Sequence, residues 1–89
     1  MSSSAAGSVE ISKWCVGFVA QLLEQDEAEI NPNSKFTRLG FDSTMSVELV
    51  VAIEERYGIR VDLDLLADYP TISQLAGYVA ERFAQSLKL

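Results

Sequence analysis

The sequence predicts an all-α domain, a small bundle of three main helices plus one short helix, with a long loop between the first and second main helices. Three observations predict it. Apolar residues recur at helical spacing in three separate stretches, helix start and stop residues flank them, and no alternating strand of useful length lies between. With 89 residues, the chain holds one core and has no room for a second layer around a deep substrate cavity. We place a flexible N-terminal lead-in at 1–7, the folded domain at 8–86 and a C-terminal tail at 87–89.

The first helix begins with Ser8 as a plausible N-cap. Ile11, Trp14, Cys15, Phe18, Val19, Leu22 and Leu23 follow at i, i+3, i+4, i+7 and i+8. The polar run Glu24–Glu27 ends it. Residues 28–42 read as loop, with turn chemistry at Asn31-Pro-Asn-Ser34 and with Ile30, Phe36 and Leu39 pinning it to the core. Gly40 permits a positive φ before the next helix. Loops of this length without structure of their own are uncommon in compact domains and are often functional.

The second main helix starts at Asp42 or Ser43, with Asp42 as N-cap, and runs to Tyr57, where Gly58 supplies a left-handed stop. Residues 62–67 read as the short helix, capped by Asp62 and broken at Tyr69-Pro70. Thr71-Ile-Ser-Gln74 is a capping box. The last helix presents Ile72, Leu75, Ala76, Val79, Ala80 and Phe83 on one face and ends near Ser86.

Composition removes several function classes. Thirteen acids oppose seven bases, for a formal net charge of −6. Such a surface repels phosphate backbones, so nucleic acid is not expected as a partner, and basic protein surfaces are. The chain has no histidine and one cysteine, Cys15. Histidine triads, histidine zinc sites, CxxC sites and intramolecular disulfides are therefore impossible, and no metal site is expected. Cys15, among Trp14, Val16 and Phe18, reads as a buried thiol packing as a small apolar group. No apolar run approaches the ~20 residues of a membrane span and no secretory signal is present, so the expected location is the cytoplasm.

The second helix departs from a plain core helix. Met45, Leu49, Ala52 and Ile53 form one stripe, enough to bury it. Thr44, Val47 and Val51 fall on nearly the opposite side, flanked by Glu48, Glu54 and Glu55. Three long helices cannot easily cover both faces of one of them. An exposed apolar patch with an acidic rim follows, the layout of a protein contact site. Two scattered surface valines and a solvated glutamate face are the plainer reading of the same residues. Ser43 stands at the start of this helix. Local capping chemistry is the ordinary role of a serine there. As a nucleophile acting alone it lacks a base. A serine modified by another enzyme needs only exposure, a fixed backbone and a docking surface beside it.

The stretch Leu39-Gly-Phe-Asp-Ser-Thr-Met-Ser-Val-Glu-Leu49 resembles the acyl carrier protein family. The resemblance extends from about Val9 to Phe83. It takes in the loop with Ile30, Pro32 and Phe36. Asp68-Tyr-Pro-Thr71 is similar to the stretch before the last helix of polyketide synthase type carrier domains. The resemblance implies that 8–86 is an acyl carrier domain and that Ser43 carries 4′-phosphopantetheine through a phosphodiester. It implies a non-catalytic carrier. A phosphopantetheinyl transferase, using its own Mg²⁺, moves the arm from coenzyme A to Ser43, and the arm's thiol holds acyl or polyketide intermediates as thioesters. An acyltransferase, a ketosynthase or other acyl-processing enzymes of polyketide or fatty acid biosynthesis then dock on the second helix. Phe41, Thr44, Val47 and Val51 make the apolar contact, and Asp42, Glu48 and Glu55 pair with basic residues. One departure stands out. Thr44 occupies the position where the family usually has Leu, Ile or Met, a loss of about 1 kcal/mol of contact burial.

Two other readings stay open: a carrier of aminoacyl or peptidyl groups in nonribosomal peptide synthesis, and a non-carrier acidic helical interaction module. Asp-Ser in place of the His-Ser common in peptidyl carriers favours acyl cargo. A monomer is expected. Met1 and the short tails suggest a free-standing protein, with an excised segment of a larger synthase as the other reading.

Overall fold

The computed structural model describes residues 7–86. Most of the expected lead-in at 1–7 and the whole tail at 87–89 lie outside the described residues. Five α-helices follow in order: α1 Ser8–Leu23, α2 Phe36–Leu39, α3 Ser43–Tyr57, α4 Leu65–Asp68 and α5 Ile72–Ser86. Three are long and two are single turns. No β-strand occurs among the described residues.

The core follows from the apolar periodicity of the long helices. Ile11, Cys15 and Val19 of α1 are buried together with Leu49 and Ile53 of α3 and with Ile72, Leu75 and Val79 of α5. α1 packs most extensively on α5. Aromatic rings close one side of the bundle. Trp14 stacks on Phe18 at 5.4 Å and meets the edge of Tyr57 at 5.8 Å, and Tyr57 meets Phe83 at 5.5 Å. Val50 and Tyr57 are buried with Leu49 and Ile53, whereas Met45 and Ala52 of the expected stripe are only half-buried, so the core face of α3 is Leu49, Val50, Ile53 and Tyr57.

Helix ends account for the local departures from expectation. Gly7, not Ser8, is the N-cap of α1, and it supplies no side-chain bond. Ser8 is the first helical residue. At the other end of α1, Glu24 takes the left-handed conformation (φ 57°) and its N–H donates to the Ala20 and Gln21 carbonyls. At the start of α5, Thr71 Oγ1 accepts from Gln74 N–H at 3.1 Å and donates to Gln74 Oε1 at 3.3 Å. This is a capping box whose return bond runs through the hydroxyl rather than the Thr71 backbone.

The segment between α1 and α3 is more ordered than a plain loop. It holds a 3₁₀ turn at Glu27–Glu29 and the single-turn α2. Phe36 explains α2, because its ring is buried and packs on Phe41 with centroids 5.1 Å apart. Gly40 then turns the chain at φ 99°, the positive φ expected of it. The segment is also tied to the start of α5. Phe36 N–H donates to the Pro70 carbonyl at 2.8 Å, Ser73 N–H donates to the Pro32 carbonyl at 3.0 Å, and Lys35 and Thr71 form an isolated antiparallel bridge.

The short helix near residue 62 starts later than expected. Asp62 accepts from Leu65 N–H through its backbone carbonyl, and the helix itself is Leu65–Asp68. Asp64 stands at its N-cap without a side-chain bond. No helix among the described residues is long and apolar enough to cross a membrane.

Candidate functional site

The N-terminus of α3 is built by the residues on either side of it. Gly40 redirects the chain, Phe41 anchors it on Phe36, and Asp42 caps the helix. The Asp42 carboxylate accepts Met45 N–H at 2.8 Å, and the Asp42 carbonyl accepts both Ser46 N–H and Ser46 Oγ–H at 3.0 Å. Each bond satisfies a donor at the helix start or near it and fixes the backbone around Ser43. Ser43 is the first residue of α3 and is exposed. Among the described residues its hydroxyl makes no hydrogen bond. It sits at the positive end of the helix dipole, where a phosphodiester is well placed. An exposed, uncommitted hydroxyl on a fixed backbone fits the covalent attachment of a phosphate-linked group.

Beside Ser43 the outer face of α3 is open. Val47 and Val51 are 45% and 43% exposed, and Thr44, Glu48 and Glu55 are exposed too. On an ideal helix these five residues fall within an arc of roughly 100°, opposite Leu49 and Ile53. The two valines share one face with Thr44 and with two of the glutamates, while Val9 and Leu63 are exposed elsewhere on the molecule. Phe41 is half-buried, and its ring packs on Phe36. Glu54 differs from its neighbours. Its carboxylate accepts Val61 N–H at 2.8 Å and holds the chain after α3 rather than facing a partner.

Cys15 is fully buried, and burial pushes its thiol up to about 12. It is a packing residue with no thiolate character at neutral pH. No group of His, Cys, Asp and Glu among the described residues has the layout of a metal site. Sequence reasoning missed Val50 and Tyr57, the Glu54–Val61 bond and the tie between the loop and α5. The spacing of Leu49, Val50, Ile53 and Tyr57 carried a signal for the first pair. Backbone bonds between distant segments leave no mark in a single sequence.

The family profile described as "Phosphopantetheine attachment site" matches residues 14–79. Polyketide synthase PksL of Bacillus subtilis (strain 168) is 33% identical over 66 residues, covering 74% of this chain and 2% of that protein. The chloroplastic acyl carrier protein 1 of Spinacia oleracea is 37% identical over 76 residues, covering 85% of this chain and 55% of that protein. The chain thus spans about half the length of the plant carrier and a small fraction of the synthase. Among solved structures, the HMG-ACPI domain from the CurA module of Lyngbya majuscula superposes with a TM-score of 0.80 at 31% identity, over 97% of this chain and 90% of that one. A free-standing peptidyl carrier protein from Acinetobacter baumannii gives 0.81 at 28% identity, over 92% and 98%. In the matching family, 4′-phosphopantetheine is attached covalently to a serine. The profile match, the carrier relatives and the shared helical fold together show that this chain belongs to the phosphopantetheine-attachment family of carrier domains.

Proposed function

We propose that this protein carries acyl or polyketide intermediates on 4′-phosphopantetheine attached to Ser43, and that it catalyses nothing itself. The observation that carries this reading is the exposed, unbonded Ser43 hydroxyl at the start of a capped helix, inside the matched region. When bound, the group supplies a terminal thiol that holds the cargo as a thioester on a flexible arm. The chain's own residues do the rest. Asp42 and the Phe41–Phe36 contact fix the position of Ser43. The chain has no histidine, so the transferase supplies the base that removes the Ser43 proton.

Partner enzymes in this reading include a phosphopantetheinyl transferase and acyltransferase, ketosynthase or related acyl-processing enzymes. They dock on Phe41, Thr44, Val47 and Val51, with basic residues meeting Asp42, Glu48 and Glu55. Such contacts are weak, fast and salt-sensitive, which suits a carrier that serves several partners in turn. The carrier domain occupies 8–86 as a monomer, and the proposed location is the cytoplasm. Acyl rather than aminoacyl cargo is supported by the acyl carrier relatives and by Asp42 before Ser43. The likeness to a peptidyl carrier structure makes the aminoacyl reading the competitor to test.

Incubation with coenzyme A, Mg²⁺ and a broad-specificity transferase tests the attachment. Intact mass rises by about 340 Da in the wild type and stays unchanged in Ser43→Ala. A wild type left unmodified by several transferases would remove the reading. An adduct that persists in Ser43→Ala would move it to another serine. Loading with acyl against aminoacyl donors then distinguishes the cargo classes.

A further inference from the structure

Two arginines stand together at the end of the molecule away from Ser43. Arg60 and Arg82 both line two adjoining depressions, although they come from different segments. One depression, of about 330 Å³, is bounded by Gly58, Ile59, Arg60, Arg82 and Gln85. The other, of about 230 Å³, adds Asp62, Leu65 and Tyr78 to the same two arginines. The 15 residues of α3, about 22 Å at 1.5 Å per residue, separate this place from Ser43.

Both arginines are exposed, on backbone that packing holds in place. Arg60 lies between buried Ile59 and Val61, and Val61 N–H is held by Glu54. Gly58, at φ 67°, fixes the turn that leads into Arg60. Arg82 lies over the Tyr78 ring at 5.9 Å. Among the described residues, neither arginine makes an ion pair. Arg56 lies over the Trp14 and Tyr57 rings at 5.5 and 5.6 Å and lines neither depression. The two guanidiniums share these depressions on a chain of net charge −6. Most of the surface repels acidic partners, so this place is where a carboxylate is attracted. The depressions adjoin and are open, which suits an extended peptide crossing both arginines better than a single enclosed anion. Asp62 sits at the rim of one depression only, which favours a carboxylate on the Gly58–Gln85 side.

We propose that this surface is a second docking point, taking an Asp/Glu-rich segment of a partner protein through Arg60 and Arg82. It stands independently of the role of Ser43. A partner held there leaves the α3 face free, so the carrier can stay attached to one protein while presenting its other end to a second.

Titration of the isotope-labelled full chain with a short peptide of alternating Glu and Asp, followed by amide NMR, tests this. Shifts confined to residues 58–62 and 78–85, fading as NaCl rises toward about 1 M, support the proposal. The double variant Arg60→Ala/Arg82→Ala should bind about tenfold or more weakly, the loss of charge-assisted bonds, with unchanged helical circular dichroism. Its loading at Ser43 should match the wild type, which separates this surface from the attachment reading. The Gln/Asn analogue of the peptide should give no shifts. Four outcomes overturn the proposal: no confined shifts, shifts that survive in the double variant, inorganic phosphate binding as tightly as the peptide, or peptide binding only after removal of residues 87–89. The third would mean an adventitious ion only, and the fourth a surface occupied by the chain's own end.

Discussion

Cys15 and the α3 surface residues mark the two extremes of what one side chain does in this domain. The Cys15 thiol is raised from 9.0 to about 12 by desolvation, so the folded state keeps its proton where the unfolded chain loses it. Stability is therefore at its full value below about pH 9 and falls as pH rises toward about 12. Chemical denaturation across this range should show that alkaline slope, and Cys15→Ala should flatten it. Val47 and Glu48 touch solvent instead. Val47→Asp and Glu48→Lys should slow partner-dependent turnover several-fold, mainly through association, while shifting thermal unfolding little. Leu49→Ala, one residue away but fully buried, should cost about 2–5 kcal/mol. If the Val47 or Glu48 variants lose stability on that scale, these side chains are structural rather than docking residues. The difference between neighbours was legible in the sequence, because 100° per residue separates Val47 and Val51 from Leu49 and Ile53.

Helices α1 and α3 end in the same left-handed conformation but with different residues. α3 stops on Gly58 at φ 67°, and α1 stops on Glu24 at φ 57°. A side chain costs roughly 1–2 kcal/mol in that conformation. Gly58→Ala should therefore destabilise by about 1 kcal/mol, and Glu24→Gly should stabilise by up to about 1 kcal/mol, both read from urea midpoints. The contrast also shows where sequence reasoning reaches and stops. Gly58 announced its stop, whereas Glu24 sat in a polar run that only marked an ending. The long helices were legible because their apolar faces repeat. The turn at Phe36–Leu39 was not, because four residues carry too little periodicity, and Phe36 was readable only as an anchor. The late start of α4 follows similarly. Asp62 had the side chain of a cap, but its backbone carbonyl took the bond.

Over the whole molecule, charge is distributed rather than merely negative. The acidic residues on the outer face of α3 run from Glu48 to Glu55, and Arg60 and Arg82, without ion pairs among the described residues, lie beyond the C-terminal end of that helix beside Asp62. Net charge was legible in composition, but the meeting of Arg60 and Arg82 was not, since they are far apart in the chain and come together only through packing. The same holds for the segment before Ser43. Its middle, at Pro32, Lys35 and Phe36, is joined to the start of α5 through Pro70, Thr71 and Ser73, contacts between positions more than thirty residues apart that no local pattern announces.

That fastening has a mechanical consequence. On the proposed attachment, an arm rooted at Ser43 would swing about a pivot whose approach the Phe36–Pro70 and Pro32–Ser73 bonds clamp against the bundle. The reach of the cargo is then set by the arm and by the angle at which each partner seats, and the backbone contributes almost none of it.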